Sequence, residues 1–571
     1  MTKQVLAVTI WAAALNAQSP DVLSPVSTGV STTFQNYALQ PQAPPGPDLG
    51  DGEDDDGDRL YLPRPAGGQN ATTATVVAPP SPMVNQTSNT TLPVTISRNY
   101  AGLGTGFNGT WTNQNLYPPD TIMGVGRTQI VQWVNLRLTV LDKATGAPLL
   151  GGLGFINGNL VWTGLGTGSV CATTNQGDPN VQYDRIAERW VLAQFAFGTA
   201  TATASPFRVY PAAPYALCIA VSQTSDATGA YNLYQYNLPS LPDYPKVGVW
   251  PDGYYVTTND FSFSTTTGLS SYVGSRVCAF NRTAMIAGSS AGGICYSGLP
   301  PNHFGMLAGD FEGTLLPPTD ETAFILSGDW FTLNNPPYSL QLRRFHPDFV
   351  TPANSTLTDG LGGGFDSFIS LPFTANVVGS CGDGGGACVP QPGTVRVLDT
   401  LSMRPMHRLA YRNLGAGRES LVFTESVDPV GTAVAGIQLV EIRNPAANPP
   451  TIYNNVNFNP DTTNRWMGSA ATDKFGNVAL GYSVSSSTLF PGIRIAGRLR
   501  NDIRSSVRGE LTVQNGTGSQ TGTAQRWGDY SAMQIDPSDD CTFWYTTEYM
   551  INTSPVDWAT RIAGFKFNSC Q

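Results

Sequence analysis

A set of polar and aromatic residues stands near the starts of repeated hairpin-like segments, where together they could bind or cleave a polar ligand. Carboxylates and guanidinium groups hydrogen-bond hydroxyl groups, and aromatic rings stack on sugar faces. Two carboxylates at a suitable separation can also act as acid and base, or as acid and nucleophile, in glycosidic cleavage. The predicted ligand-binding residues are Asp120, Asp184, Asp243, Lys246, Asp310, His407, Arg465, Arg526, Trp527 and Asp529.

These residues meet only if every segment begins an innermost strand at the same level of a closed ring. Their side chains would then converge at one mouth of a central channel and hold a sugar or, alternatively, a calcium ion. Structural use of the same residues, as ion pairs between segments and as turn caps, is the competing interpretation. The sequence assigns no catalytic residue and no metal ligand, and it predicts no required cofactor.

Other catalytic motifs carry less weight. Residues 288–292 match G-x-S-x-G, but a nucleophile elbow needs a strand before it and a helix after it in an α/β sheet. Here the motif lies between Cys278 and Cys295, which favours a disulfide-bounded loop. Only three histidines occur in the chain, and this limits serine–histidine mechanisms and histidine-rich metal centres.

The fold predicted from about residue 95 onward is all-β, because short β-branched and apolar runs alternate there with Gly, Asn, Asp and Pro. Most hairpin-like segments start roughly 60 residues apart, which predicts a single β-propeller of about seven blades. One interval is longer and predicts an insertion around residues 355–395, with an eighth blade hidden there as the alternative. A β-sandwich or a multi-domain β arrangement is the alternative to the propeller as a whole. The segments start at Pro118, Val181, Tyr244, Phe311, His407, Arg465 and Arg526.

The last segment is too short for a complete blade, whereas residues 94–117 precede the first segment without a blade of their own. We therefore predict that this N-terminal stretch adds the missing strand to the last blade and closes the ring. A disulfide between Cys541 and Cys570 would then join the ends of that same blade.

The N-terminus is typical of a secreted protein. Residues 1–17 combine a lysine, a short apolar run and small residues, which predicts a cleaved signal peptide. An even set of cysteines without paired CxxC spacing favours disulfides, and sequential pairing is our prediction. The cysteines are Cys171, Cys218, Cys278, Cys295, Cys381, Cys388, Cys541 and Cys570. Glycosylation sequons stand at Asn70, Asn85, Asn89, Asn108, Asn281, Asn354, Asn515 and Asn552.

Residues 18–94 are rich in Pro, Ser, Thr and Asn and predict a disordered linker or stalk ahead of the propeller. An acidic run at residues 51–58 supplies much of the net charge of -10, so the remaining body is close to neutral. No stripe of Lys and Arg is evident, which argues against nucleic acid as a partner. No later run is long and apolar enough to span a membrane.

Eight phrases spread over the repeats carry a family resemblance. They are PPDT, YPKVGVWPDGYY, CAFNRTAMIAG, RLAYR, RWMGS, ALGYSVSSS, RWGDYS and DDCTFWYTTEY. Together they resemble a group of uncharacterised secreted proteins predicted to be β-propellers, over about residues 98–571. The resemblance implies a propeller fold and a secreted location, with no established activity. Its likeness to sialidase propellers is distant, since VLDKATGAPL and ATDKFGNVAL lack the Ser, Thr and Trp of an Asp-box.

Three functional hypotheses follow. The first is a secreted glycoprotein at the cell surface that binds an extracellular glycan or protein, or serves a structural role, with the channel mouth as its ligand or calcium site. The second is a carbohydrate-active hydrolase or lyase with carboxylates at that mouth. The third is a fibre subunit whose N-terminal tail adds a strand to a neighbouring copy, giving self-association.

Overall fold

The structure is a computed structural model. It describes residues 18–40, 76–77, 84–86, 90–109, 118–203, 209–300, 303–328, 339–372, 387–402, 404–429, 434–522 and 525–570. The predicted signal peptide and the acidic run lie outside the described residues.

The architecture is all-β, with a few short helices. The early strands are β1 (Asp21–Leu23), β2 (Ser27–Val30), β3 (Val76–Val77), β4 (Val84–Gln86), β5 (Val94–Gly104), β6 (Ile122–Val125), β7 (Gln129–Val134), β8 (Arg137–Asp142), β9 (Ile156–Asn157), β10 (Asn180–Asp184), β11 (Arg189–Thr201), β12 (Val209–Ser222) and β13 (Tyr231–Leu238). The middle strands are β14 (Leu241–Val249), β15 (Gly253–Phe263), β16 (Ser270–Asn281), β17 (Gly293–Leu299), β18 (Leu307–Glu312), β19 (Ala323–Gly328), β20 (Ser339–His346), β21 (Thr356–Thr358), β22 (Ile369–Pro372), β23 (Ala387–Val389) and β24 (Leu398–Asp399).

The late strands are β25 (Met406–Asn413), β26 (Glu419–Val427), β27 (Gly436–Arg443), β28 (Thr451–Phe458), β29 (Asn464–Thr472), β30 (Val478–Ser486), β31 (Leu489–Arg498), β32 (Arg508–Gln514), β33 (Ala532–Ile535), β34 (Phe543–Met550) and β35 (Trp558–Phe567). The helices are α1 (Phe34–Ala38), α2 (Val170–Thr173) and α3 (Arg282–Ile286), with 3-10 turns at Phe107–Gly109, Gly158–Leu165 and Pro352–Asn354.

The strands form successive antiparallel groups, which we number along the chain. The first to third groups are β6–β9, β10–β13 and β14–β17; the fourth is β18–β20 with β22; the fifth and sixth are β25–β28 and β29–β32; the seventh is β33–β35 with β5. Every hairpin predicted from the sequence is the pair formed by the first two strands of a group. The repeat was recognisable because each hairpin joins two apolar strands through a polar turn.

The first strands of the groups surround a common axis. Strands β6, β10, β14, β18, β25, β29 and β33 each contact the next in this order, and β33 contacts β6. Between the fourth and fifth groups the contact is a parallel pairing, with Gly309 opposite Leu409. The groups therefore follow one another around a closed circuit, as in a β-propeller.

The circuit closes as the sequence predicts. Strand β5 pairs antiparallel with the last strand, β35, from Val94 opposite Phe567 to Gly104 opposite Ala559. The disulfide between Cys541 and Cys570 joins the chain just before β34 to the chain just after β35. N-terminal and C-terminal segments thus complete one sheet together.

The N-terminal segment does not form a free stalk over its described part. Strand β1 pairs with β17, β2 with β13, β3 with β22 and β4 with β28, always at the outer edge of a group. The N–H of Gly509 in β32 donates to the carbonyl of Thr90 at 2.6 Å. We call the described residues 18–40, 76–77, 84–86 and 90–104 the N-terminal belt.

The belt corrects the linker prediction for residues 18–40, because short extended segments can pair with exposed sheet edges despite a polar composition. Helix α1 also contributes a packed side chain, since the Phe34 ring stacks on the Tyr231 ring with centroids 4.8 Å apart. The segments proposed to reach a neighbouring copy pair within their own chain here.

The predicted insertion is shorter than residues 355–395. Strands β21 and β22 lie in the first part of that range, and both pair with β20 of the fourth group. Strands β23 and β24 form a separate two-stranded sheet, and in the sequence they lie between the fourth and fifth groups. The outer strand of the fourth group was thus misread as insertion because glycine-rich sequence surrounds it.

Three of the predicted disulfides are confirmed. They join Cys171 to Cys218, Cys278 to Cys295, and Cys541 to Cys570. Cys388 is also disulfide-bonded, while Cys381 lies outside the described residues.

Several sequons lie at the surface. Asn108, Asn354, Asn515 and Asn552 are exposed, whereas the side chain of Asn281 accepts a hydrogen bond from the Ala284 N–H and caps α3. Asn85 lies in β4, and Asn70 and Asn89 lie outside the described residues. Glycosylation at these positions stays a prediction.

The core lies between adjacent groups. Trp250, at the end of β14, packs against the ring of Phe324 at 5.9 Å and that of Tyr411 at 4.6 Å, which belong to the fourth and fifth groups. Buried aromatic rings of this kind fix the spacing of neighbouring sheets and hold the first strands around the axis. Within the described part of the chain, we find no helix long and apolar enough to cross a membrane.

Candidate ligand site at the channel mouth

Polar side chains from several groups meet where the first strands begin. We call this set the mouth cluster. It consists of Asp120, Asp178, Asp243, Tyr244, Lys246, Arg404, Arg526, Asp529 and Tyr530, which lie just before β6, β10, β25 and β33 or early in β14. The structure therefore brings together five residues predicted from the sequence: Asp120, Asp243, Lys246, Arg526 and Asp529.

Backbone conformation helps to place these side chains. Asp120, Asp178 and Asp529 have positive φ angles of 47°, 48° and 26°. Aspartate enters the left-handed region more readily than most residues, so its recurrence just before these strands has a local cause. Tyr244 also has a positive φ, 53°, which is costly for a bulky residue and is characteristic of functional sites.

Lys246 is held between two tyrosine rings. Its Nζ atom lies 3.4 Å from the centroid of Tyr244 and 3.9 Å from that of Tyr530, and it donates to the carbonyl of Pro245 at 3.0 Å. Only 1% of the residue is exposed. Burial lowers the pKa of Lys246 to about 7, although the nearby Asp178 and Asp120 oppose the change. The side chain can therefore gain or lose a proton near neutral pH.

Two carboxyl groups of the cluster are shifted in the opposite direction. Burial raises the pKa of Asp178, whereas Lys246 and Asp120 act to lower it; Asp178 Oδ2 also accepts the Tyr244 N–H at 2.9 Å. Burial raises the pKa of Asp243 well above its usual range, and the charges of Asp178 and Asp529 raise it further. A carboxyl group with a raised pKa keeps its proton to higher pH than usual, and while protonated it can donate a hydrogen bond or a proton.

The arginines provide directed donors. The guanidinium carbon of Arg404 lies 3.9 Å from the Tyr244 ring centroid. Arg404 Nε and Nη2 and the Tyr244 hydroxyl are buried and find no hydrogen-bond partner among the described residues. Arg526 Nη2, in contrast, is 2.5 Å from Asp529 Oδ1 in an ion pair. Buried polar atoms normally have partners, so these unmatched groups are the part of the cluster whose hydrogen bonds a ligand or water molecule would complete.

His407 lies beside the cluster. Its ring centroid is 6.4 Å from that of Tyr530, and only 1% of the residue is exposed. Burial lowers the pKa of His407 well below its usual range, with Lys246 and Arg408 adding to the effect. A neutral imidazole is the expected form, and no described residue pairs with its Nε2 atom.

Asp184 lies away from the mouth. It is the last residue of β10, about 13 Å along the strand from its start. Its carboxylate binds Arg282 Nε at 2.6 Å and Arg282 Nη2 at 3.1 Å, and it accepts the Tyr254 hydroxyl at 2.8 Å. These contacts give Asp184 a structural role between groups. The position equivalent to Asp120 is Asp178 instead.

Asp310 also belongs to a structural network. Arg408 Nε donates to Asp310 Oδ2 at 2.6 Å, and Arg408 Nη1 lies 2.9 Å from Glu312 Oε2. The network continues through Arg412, whose Nη1 is 2.7 Å from Asp540 Oδ2. We call Arg185, Asp310, Glu312, Arg408, Arg412 and Asp540 the buried ion ladder.

The two remaining predicted residues are engaged elsewhere. Arg465 Nη2 pairs with Glu510 Oε2 at 2.7 Å, and its Nη1 pairs with Asp461 at 2.9 Å. Trp527 is fully buried, and its indole N–H donates to Ser483 Oγ at 3.0 Å. Both residues stand at the start of a predicted segment, but their side chains contact neighbouring strands and loops instead of the mouth cluster.

Sequence reasoning missed four members of the mouth cluster: Asp178, Tyr244, Arg404 and Tyr530. A signal existed for Asp178, because GDPN at 177–180 and PPDT at 118–121 place Asp two residues before a first strand. No comparable pattern pointed to Arg404, which lies in the irregular chain before β25.

The described residues include no group of three or more His, Cys, Asp or Glu side chains arranged to hold a metal ion. In the mouth cluster, Lys246 and the arginines supply the positive charge among the carboxyl groups.

Comparison with known proteins assigns no family. No protein-family model and no curated protein match the chain. Among solved structures, the polysaccharide lyase Uly1 aligns with a TM-score of 0.38 and 10% identity over 81% of this chain and 92% of its own. A protein of unknown function from Dyadobacter fermentans aligns with a TM-score of 0.35 and 12% identity, over 68% of this chain and 94% of its own. A subtype N10 neuraminidase-like protein of A/little yellow-shouldered bat/Guatemala aligns with a TM-score of 0.32 and 9% identity, over 67% of this chain and 95% of its own.

Proposed function

We propose that this protein is a secreted, seven-bladed β-propeller that binds a carbohydrate at the mouth of its central channel. The observation that carries the proposal is the mouth cluster, in which donors and acceptors from five separate segments converge on one end of the ring. Ligand sites in such folds are concave places where a few polar groups converge from different elements.

The strand topology supports the proposed number of blades. Each of the seven groups has a first strand beside the axis, and the last group is completed by β5. The disulfides Cys171–Cys218, Cys278–Cys295 and Cys541–Cys570 suit an oxidising compartment, in keeping with the predicted signal peptide. We therefore treat each group as one blade and the chain as an extracellular protein.

A carbohydrate matches the chemistry of the cluster better than a strongly charged ligand. Arg404 and the Tyr244 hydroxyl offer donors, Asp529 offers an acceptor, and the raised pKa of Asp243 favours a carboxyl group that can do either. Sugar hydroxyl groups donate and accept at once, so they can satisfy such a mixed set. A polyanion would meet the aspartates, and a polycation would meet the arginines and Lys246.

The test is a glycan array with the secreted protein, followed by titration of the best glycan against Asp243→Asn and Arg404→Ala. We expect each variant to weaken binding by about tenfold or more, which corresponds to about 1.4 kcal/mol. Glu188→Gln is the matched control, because Glu188 is an exposed carboxylate in the turn between β10 and β11, at the opposite end of β10 from the mouth cluster. Absence of any bound glycan, or equal affinity in folded variants and wild type, would refute the proposal.

Glycosidic cleavage is a second candidate, favoured by the raised pKa of Asp243, which suits an acid, close to a second carboxyl group, Asp529. In a hydrolysis step, Asp243 would donate its proton to the glycosidic oxygen as the bond to the anomeric carbon breaks. Asp529 would take a proton from the water whose oxygen adds to that carbon. Both products are then free sugars, and no external oxidant or metal is needed.

Turnover distinguishes the two candidates. Release of reducing ends from the best glycan should be lost in Asp529→Asn and Asp243→Asn if the cluster cleaves, while both variants still fold. Glycan binding without turnover by the wild type would leave the binding function and eliminate the hydrolase.

A further inference from the structure

A second polar cavity lies at the opposite end of the fourth group from the mouth cluster. Its volume is about 220 Å³. Strand β18 begins at the mouth, where the side chain of Arg404 packs on Gly305, and the cavity opens beyond its other end, next to Glu321. The two places are therefore separated by the length of the blade.

Neighbouring strands supply the polar lining. Glu321 and Thr322 come immediately before β19, and Arg344 lies in β20. Strand β21 pairs with β20 so that Arg344 stands opposite Thr358 and His346 opposite Thr356. This register sets a guanidinium, a carboxylate and several hydroxyl groups around one small space.

Three buried atoms around the cavity have no hydrogen-bond partner among the described residues. They are Glu321 Oε1, Thr322 Oγ1 and Arg344 Nε. Arg344 is otherwise fixed, because its Nη2 donates to the carbonyl of Ala446 at 2.5 Å. Its Nη1 is 3.8 Å from Glu321 Oε1, too far for a hydrogen bond. Because these atoms are shielded from water, a small rotation of the Glu321, Thr322 and Arg344 side chains is what would present an acceptor, a hydroxyl group and a donor to a ligand in the cavity.

The glycine at position 360 leaves room for the Arg344 side chain at the edge of the cavity. Gly360 has a φ of +71°, and a Cβ atom added there would lie 2.4 Å from Arg344 Cδ. Glycine at this position therefore lets the β21 turn approach the arginine closely. A larger residue would displace the guanidinium from its place in the cavity.

We propose that this cavity binds one sugar residue of a glycan, as a site separate from the channel mouth. Arg344 offsets one of the two carboxylates that line the cavity, Glu321 and Asp320, so the lining disfavours a strong anion, and it offers both acceptors and donors to a neutral polar ligand. Adjacent hydroxyl groups of a sugar ring can pair with a guanidinium and a carboxylate at the same time. The volume is below the roughly 300–1,000 Å³ of drug-sized pockets, which suits a single ring.

The experiment is saturation-transfer NMR on the full secreted protein with glucose, galactose, mannose and fucose as separate probes, followed by titration of any that binds. Glu321→Gln removes the negative charge of a carboxylate, and Thr322→Val removes a hydroxyl group. Both substitutions change the shape of the side chain little. Glu188→Gln and Thr488→Val are the matched controls, because both residues are exposed and far from the cavity. Circular dichroism and thermal unfolding check that every variant folds.

We expect millimolar binding of at least one probe, weakened about tenfold or more by Glu321→Gln and by Thr322→Val and unchanged in both controls. The part of the binding that the cavity variants remove should persist in Asp243→Asn, which separates the cavity from the channel mouth. Gly360→Ala should weaken it as well, by moving Arg344. The proposal is overturned if no probe binds, or if the bound probe is insensitive to both cavity variants.

Discussion

The Nζ atom of Lys246 lies 3.4 Å from the centre of the Tyr244 ring, two residues earlier in the same strand. On its other side the same ammonium group faces Tyr530, which belongs to the seventh group. The cation thus connects the third group of strands to the seventh, and it is almost completely removed from water. Its ionisation is consequently coupled to folding as well as to any ligand at the mouth.

Lys246→Met should change how stability depends on pH. Because the folded pKa of Lys246 is about 7, the unfolded chain carries a proton on this residue between about pH 7 and 10 that the folded protein has released. The free energy of unfolding of the wild type should therefore gain up to about 1.4 kcal/mol per pH unit from this residue as the pH rises. Urea unfolding at about pH 7, 8 and 9 measures the slope.

For Lys246→Met, the free energy of unfolding should rise less steeply with pH than for the wild type between about pH 7 and 9. Lys474→Met, at an exposed turn, serves as the control and should retain the wild-type slope. Equal slopes for Lys246→Met and wild type would show that the buried amine does not titrate as described.

Asp310→Asn should destabilise the protein strongly. The change leaves Arg408 buried without its closest carboxylate, and breaking one side of a buried ion pair costs about 3–5 kcal/mol. Glu188→Gln breaks the exposed pair with Arg127 and should cost less than about 1 kcal/mol. Denaturant midpoints of the two variants provide the comparison, and a loss at Asp310 as small as that at Glu188 would argue against the ladder's contribution.

Phe34→Ala tests the N-terminal belt. Phe34 is fully buried against Tyr231, so its truncation should cost about 3–5 kcal/mol and lower the unfolding temperature. Phe475→Ala removes a ring that is 43% exposed and should change the temperature little. Scanning calorimetry of both variants checks this. If Phe34→Ala unfolded at the same temperature as the wild type, the N-terminal belt would not be packed on the strand groups in solution.

Chelation should leave glycan binding and the unfolding temperature unchanged. Lys246, Arg404 and Arg526 already supply positive charge among the mouth carboxyl groups, so a calcium ion is not needed to offset them. The measurement is titration and thermal unfolding with and without excess EDTA. A loss that added calcium restores would instead identify an ion as part of the site.

The repeat was accessible from sequence because its signal is local. A hairpin such as that from Tyr244 keeps its apolar strands and polar turn whatever lies outside it, and the closing strand could be inferred from an incomplete last segment. The belt gave no such signal. Strands as short as Asp21–Leu23 owe their conformation to the edge that they pair with, not to their own residues.

The site was only partly accessible for a geometric reason. Asp120 and Asp529 lie just before their first strands and meet, whereas Asp184 lies at the far end of β10 although it is in a corresponding hairpin. An offset of four residues moves a side chain by about 13 Å along a strand. Arg404 could not be assigned because it acts from an irregular segment, where spacing carries no information on direction.

The belt also governs when the native state can form during synthesis. Thr95 bonds to Asn568, 473 residues later in the chain, and the partners of β1 and β2 are likewise made long after them. Segments that leave the ribosome early must therefore wait for strands made much later, and loop closure over such a span is slow. We expect nascent chains that lack β35 to remain protease-sensitive and to depend on chaperones until β35 has been made.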